Sequence, residues 1–105
     1  MVSIFELIKD EKEKIEKINK LRSEVVEEKM LLEKNKASLY FSIDFKAKGA
    51  TTDKLRDAAV KQALSGIPNQ YEEKKVELDS LMEELKFLRQ TIEVMKNFNV
   101  EEIDL

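Results

Sequence analysis

Apolar residues recur at helical spacing through the first third of the chain. Positions three, four or seven apart fall on one face of a helix, and they are Ile4, Leu7, Ile8, Ile15, Ile18, Leu21, Val25 and Leu32. Ser3 followed by Glu6 matches the capping box, in which each residue satisfies an open amide at a helix start. We therefore predict a first helix over residues 3–36.

The last third has the most regular pattern, an apolar seam with heptad spacing. Its members are Leu78, Leu81, Leu85, Leu88, Ile92 and Met95. This seam predicts a third helix over residues 68–98, with Pro68 in the first turn, where its missing N–H costs nothing. Other apolar residues lie beside the seam, so a single partner helix cannot cover them all; they are Met82, Phe87, Val94 and Phe98.

The connector over residues 37–51 has a different pattern. Its apolar residues alternate with polar ones, which is the period of a half-buried strand; they are Leu39, Phe41, Ile43 and Phe45. A lone strand has no partner in a helical chain, so we favour a short helix or irregular structure. Gly49 is the expected stop, because glycine readily adopts the left-handed conformation that ends a helix.

A short helix is predicted over residues 52–65. Thr52 supplies the hydroxyl cap, and Asp53 places a negative charge in the first turn, where the helix dipole favours it. Its apolar face consists mostly of small side chains, and Gly66 suits the position after its end. The remaining segment, residues 99–105, is an acidic tail.

These elements predict an all-α fold in one domain. The two long helices would be roughly 50 and 45 Å long at ~1.5 Å per residue, and matched lengths favour a coiled-coil-like antiparallel hairpin with the short helix between them. One seam buries too little apolar area to order the whole chain. We therefore predict assembly into a helical bundle, with a two-fold dimer favoured over a monomeric three-helix bundle.

Composition narrows the function classes. Charged residues make up 39% of the 105, but both signs are mixed and the net charge is −3, which disfavours a general nucleic-acid-binding field. Cysteine and histidine are both absent, which removes the usual nucleophiles, general base and zinc ligands. We expect a non-enzyme without cofactor or metal. No apolar run is long enough for a membrane span or signal peptide, so we expect a cytoplasmic protein.

One local cluster of positive charge lies in and after the connector. Basic residues interleaved with aromatic ones could hold single-stranded nucleic acid by phosphate contact and base stacking. The candidate contacts are Tyr40, Phe45, Lys48, Lys54, Arg56 and Lys61. Alternatively, the aromatic residues are core at the hairpin tip and the lysines are its solvated rim.

The segment SLYFSIDFKAKGATTDKLRDAAVKQAL, followed by a Tyr-led heptad helix, resembles small helical-hairpin proteins of Gram-positive phages and prophages. The elements that carry the resemblance are Tyr40 to Phe45, Gly49, Thr52 with Asp53, Arg56, Ala58 to Ala63, and 69–98. Such proteins are often encoded near single-strand-annealing or single-strand-binding proteins. The resemblance implies a supporting role in phage DNA replication or recombination and assigns no catalytic residue.

Three functions therefore fit the sequence. The favoured one is a non-enzymatic oligomeric adaptor that binds a protein partner, with phage DNA metabolism as its context. The second is an inhibitor of a host enzyme or defence complex. The third is a structural coiled-coil tether that contacts only itself.

Overall fold

The computed structural model describes residues 1–104, in which three helices and two short strands form. In chain order these are β1 (Val2–Ser3), α1 (Ile4–Ser42), α2 (Asp53–Leu64), α3 (Tyr71–Asn97) and β2 (Glu102–Ile103). The fold is all-α, with the two long helices packed as a hairpin, as the sequence predicts. The chain divides into two compact units: unit 1 contains residues 1–24 and 73–104, and unit 2 contains residues 25–72.

The antiparallel direction of α1 and α3 in unit 1 is evident from their ion pairs. As residue numbers rise along α1, the partners' numbers fall along α3: Glu11 with Arg89 at 3.8 Å, Lys14 with Glu84 at 3.5 Å, and Glu24 with Lys74 at 3.2 Å. Such partly exposed pairs contribute about 0–1 kcal/mol each, so they define register more than stability. Stability comes from the apolar seam between the helices.

The core of unit 1 joins the start of α1 to the end of α3. It contains Leu7, Leu88, Ile92 and Met95, with Val2, Ile4, Val100 and Ile103 packed against it. Residues near the two termini pack against this cluster and form a two-stranded antiparallel sheet, in which Val2 pairs with Ile103. The sequence predicted an acidic tail here and no strand; Leu105 lies outside the described residues.

A left-handed residue turns the chain from α3 into β2. Asn99 has a φ of 53°, and its amide donates to the carbonyl of Lys96. The amide of Val100 donates to the carbonyl of Met95 over 2.8 Å, which completes a Schellman motif. Val100 then packs on the core, so the turn both ends the helix and directs the following residues back towards β1.

In unit 2, the same kind of turn ends the connector. Gly49 has a φ of 70°, and the amide of Ala50 donates to the carbonyl of Phe45 over 2.8 Å. At the start of this turn, the Asp44 carboxylate accepts from the amide of Ala47 over 3.1 Å. The predicted left-handed conformation of Gly49 is confirmed, but it ends a turn rather than a helix, since α1 already ends at Ser42. The short helix α2 then begins with the predicted Thr52 cap, whose hydroxyl accepts from the amide of Leu55.

Two predicted helix boundaries are wrong. The first helix continues to Ser42 rather than ending at residue 36, because Leu39 and Tyr40 are half-buried on the helix. Within the described residues 1–104, the connector forms no strand. The third helix begins at Tyr71 rather than at Pro68. There the Asn69 side-chain oxygen accepts from the amide of Tyr71 over 2.9 Å and caps the helix, which leaves Pro68 outside it.

Candidate functional site

The predicted seam of α3 is the core of the hairpin. Leu85, Leu88, Ile92 and Met95 are buried, whereas Leu78 and Leu81 are half-buried nearer the start of the helix. Leu88 is only 6% exposed and belongs to the cluster that joins α3 to the first turns of α1. These side chains stabilise the fold within one chain.

In unit 2, Tyr40 is held by a residue of the short helix. Its hydroxyl donates a hydrogen bond to the Asp57 carboxylate. This bond raises the pKa of the Tyr40 phenol above its ordinary value, and desolvation and the negative charges of Asp57 and Asp53 act in the same direction. The phenol is therefore held neutral as a donor, in a position that links α1 to α2.

Phe45 lies between two of the other predicted contacts. Its ring centroid is 6.1 Å from that of Tyr40, and the Arg56 guanidinium carbon is 5.9 Å from its ring centroid, a cation–π distance. Arg56 also forms a 4.0 Å ion pair with Asp53. The two aromatic residues and the arginine thus contact each other or an acid of the same unit.

The predicted lysines are exposed but do not share one pocket. Lys61 lines a groove of about 470 Å³ together with Tyr40 and Asp57, whereas Lys48 lines a separate, smaller pocket beside Gly49. Neither pocket is lined by Lys54. Of the six candidate nucleic-acid contacts, the structure therefore brings together Tyr40, Phe45 and Arg56, and it does not gather the three lysines in one pocket.

The 470 Å³ groove is about twice the volume of the pocket beside Gly49, which is about 220 Å³. Its charged lining is mixed, with three lysines and two acids: Lys29, Glu33, Lys36, Asp57 and Lys61. Two tyrosines and two leucines complete it, and they are Leu32, Tyr40, Leu64 and Tyr71. With positive and negative groups so evenly distributed, the lining favours no single charge of ligand.

Unit 2 carries an exposed apolar stripe on α1, here called the α1 stripe. It consists of Val26, Met30, Ala37 and Phe41, all exposed, and Phe41 reaches 92%. At 100° per residue these positions fall within about 60° of arc, so they form one line along the helix. This surface was not predicted from the sequence because the first helix was expected to end at residue 36, which separates Ala37 and Phe41 from Val26 and Met30.

Unit 1 carries a second such surface, the α3 stripe, formed by Phe87, Thr91, Val94 and Phe98. The three apolar members are 66%, 55% and 74% exposed. The Thr91 hydroxyl donates to the carbonyl of Phe87 over 3.0 Å, so its polar group is satisfied within the helix. A groove of about 300 Å³ is lined by Phe87, Thr91 and Val94 of the stripe and also by Ile103.

The α3 stripe was partly visible in the sequence. Phe87, Val94 and Phe98 were recognised as lying off the seam, which is the signal that a helix has more apolar surface than one partner can cover. Their exposure follows because α1 covers only the neighbouring face, which contains Leu88 and Met95. Contiguous exposed apolar residues on a helix are typical of surfaces through which proteins bind other chains.

Comparison with protein-family models, curated proteins and solved structures finds no match to this chain. Within residues 1–104, no helix combines the length and the apolar character needed to cross a membrane. In the same part of the chain, acidic residues do not gather into groups of three or more that could hold a metal ion.

Proposed function

We propose that this protein is a non-enzymatic, oligomeric helical adaptor that binds other protein chains through exposed faces of its two long helices. One observation carries the proposal: each compact unit has its own apolar stripe, on α3 in unit 1 and on α1 in unit 2. A chain that binds only one partner needs only one such surface, whereas two separate surfaces suit a protein that connects chains.

The anchor pattern supports helix-mediated binding. In both stripes, large apolar side chains recur at intervals of four, seven or eleven residues, which is how one helix presents anchors to a groove or to another helix. The absence of histidine and cysteine supports a binding role rather than catalysis. The resemblance to phage proteins supports DNA replication or recombination as the context.

Affinity capture of the tagged chain, with the bound proteins identified by mass spectrometry, tests the proposal. Phe41→Ser removes the main anchor of the α1 stripe and Phe98→Ser removes one from the α3 stripe, while both residues are exposed and their loss leaves the core intact. We expect at least one of the two variants to lose a protein that the wild type retains. If both variants retain every captured protein, the adaptor proposal is wrong.

The identity of the captured protein separates the proposed function from its alternatives. A replication or recombination protein supports an adaptor in phage DNA metabolism. A host nuclease or other defence enzyme, inhibited when the chain binds, favours the inhibitor. Recovery of nothing except further copies of the chain favours a structural tether.

A further inference from the structure

The α3 stripe has a spacing that reads the same in both directions. Its four members are separated by four, three and four residues, so a two-fold axis between Thr91 and Val94 superposes the stripe on itself. We infer that the α3 stripe binds the α3 stripe of a second copy in antiparallel orientation, placing Phe87 opposite Phe98 of that copy. This pairing rests on the proposed function, in which the α3 stripe is a protein-binding surface.

Symmetry is the first support for a second copy as the occupant. A two-fold interface must be self-complementary, since the same residues face each other from both sides. In the antiparallel arrangement, a ring stands opposite a ring at each end and Thr91 stands opposite Val94 near the axis. Aromatic pairs of this kind are favourable beyond the area that they bury.

The area available is the second support. Phe87, Val94 and Phe98 leave roughly 400 Å² open to solvent in each copy, given ~150–250 Å² for an exposed aromatic side chain. Two copies would bury roughly 800 Å² of apolar surface. A stable interface buries about 1,600 Å² in total, a little over half of it apolar, so the stripe supplies close to the required area.

The residues that border the stripe fit the same arrangement. On one side, the residues beside the stripe include Gln90 and Asn97, which are exposed and uncharged. On the other side, Leu88 and Met95 face α1 within the same chain. Pairing through α3 would therefore bring together the α1 and α3 segments of unit 1 from two copies as a four-helix bundle.

Sedimentation across a concentration series tests the pairing. We expect a dimer at micromolar concentration, and Phe87→Ser or Phe98→Ser should each weaken it by about tenfold or more, because each change removes a buried ring twice. Phe41→Ser, in the α1 stripe, is the matched control and should leave the dimer unchanged. Circular dichroism should show unaltered helix content in all three variants, since the residues are exposed.

Crosslinking of introduced cysteines tests the orientation, because the chain contains no cysteine of its own. In the antiparallel register Gln90 lies beside Asn97 of the second copy, whereas the two Asn97 residues are separated by about 14 Å along the axis at ~1.5 Å per residue. Helices packed about 8–10 Å apart place the Cα atoms of Gln90 and of Asn97 in the second copy slightly beyond the ~7 Å limit of a direct disulfide, so a short bifunctional maleimide joins the two thiols. A mixture of Gln90→Cys and Asn97→Cys chains should therefore crosslink between the two variants, and Asn97→Cys alone should not.

Two results would overturn the inference. One is a chain that stays monomeric over the whole concentration series. The other is Asn97→Cys crosslinking to itself as fast as the mixture does, which indicates parallel pairing. If the chain is monomeric but Phe98→Ser still loses a captured protein, the second-copy pairing is wrong and the adaptor proposal stands.

Discussion

The Tyr40 hydroxyl donates a hydrogen bond to the Asp57 carboxylate, which joins two helices of unit 2 through residues seventeen positions apart. No pattern in the sequence predicts that these two residues contact each other. The bond exists only while the phenol is protonated, so its contribution to stability depends on pH.

The first prediction is an alkaline loss of stability. The hydrogen bond raises the pKa of Tyr40, so the folded chain retains this proton more strongly than the unfolded chain does. The stabilisation should be complete below the unfolded tyrosine pKa of about 10 and should be lost as pH rises through the raised folded value. Tyrosinate absorbance in a Tyr71→Phe background, where Tyr40 is the only tyrosine, measures the pKa of Tyr40 that causes this loss. Asp57→Asn should return the Tyr40 pKa towards its ordinary value; an unchanged titration would contradict the proposed cause.

A second prediction concerns the core of unit 1. Leu88→Ala should lower the free energy of unfolding by about 2–5 kcal/mol, because it leaves a cavity among Leu7, Ile92 and Met95. Denaturant unfolding at a fixed protein concentration measures this change. Val76→Ala, at an exposed position of the same helix, is the control and should stay within about 0.5 kcal/mol of wild type. Equal effects of the two substitutions would show that Leu88 is not core.

The two glycines provide a third, paired prediction. Gly49 has a positive φ, so Gly49→Ala should destabilise the fold by about 1 kcal/mol even though open space surrounds the new methyl group. Gly66 has no such constraint, and a methyl group there would meet the Ala63 carbonyl at an ordinary 3.6 Å. Gly66→Ala should therefore be neutral or stabilising by up to about 1 kcal/mol. Thermal unfolding of both variants decides whether backbone conformation is the cause.

Single-strand binding by the connector stays a prediction, and the structure sharpens its test. Lys48 and Lys54 are exposed and form no ion pair within residues 1–104, whereas Arg56 already contacts Phe45 and Asp53. If the connector binds, Lys48→Gln should weaken binding and flatten its salt dependence by about one unit of slope or less. Arg56→Gln should do less. Fluorescence anisotropy with a labelled oligonucleotide at low salt measures both, and no binding by the wild type would end the hypothesis.

Helical periodicity and local caps were enough to predict the class of fold. The α3 seam, the Thr52 cap and the left-handed conformation of Gly49 depend on residues within about one heptad, so spacing and backbone preference predict them directly. The end of α1 was predicted too early because Leu39 to Phe45 also fits a strand. In the structure Tyr40 lies in α1 and bonds to Asp57 of α2, whereas Phe45 lies after α1 and contacts Arg56 of α2.

The sequence by itself determined the three helices, their antiparallel hairpin and the residues that fill its seam, because these follow from local period and capping. Only the tertiary structure decided where distant residues meet: Val2 with Ile103 in the strand pair, Tyr40 with Asp57, and the Asn69 side chain, which donates to the Glu28 carbonyl over 3.1 Å. It also decided which apolar residues stay exposed. Exposure depends on which helix face a neighbour covers, and a one-dimensional pattern does not contain that choice.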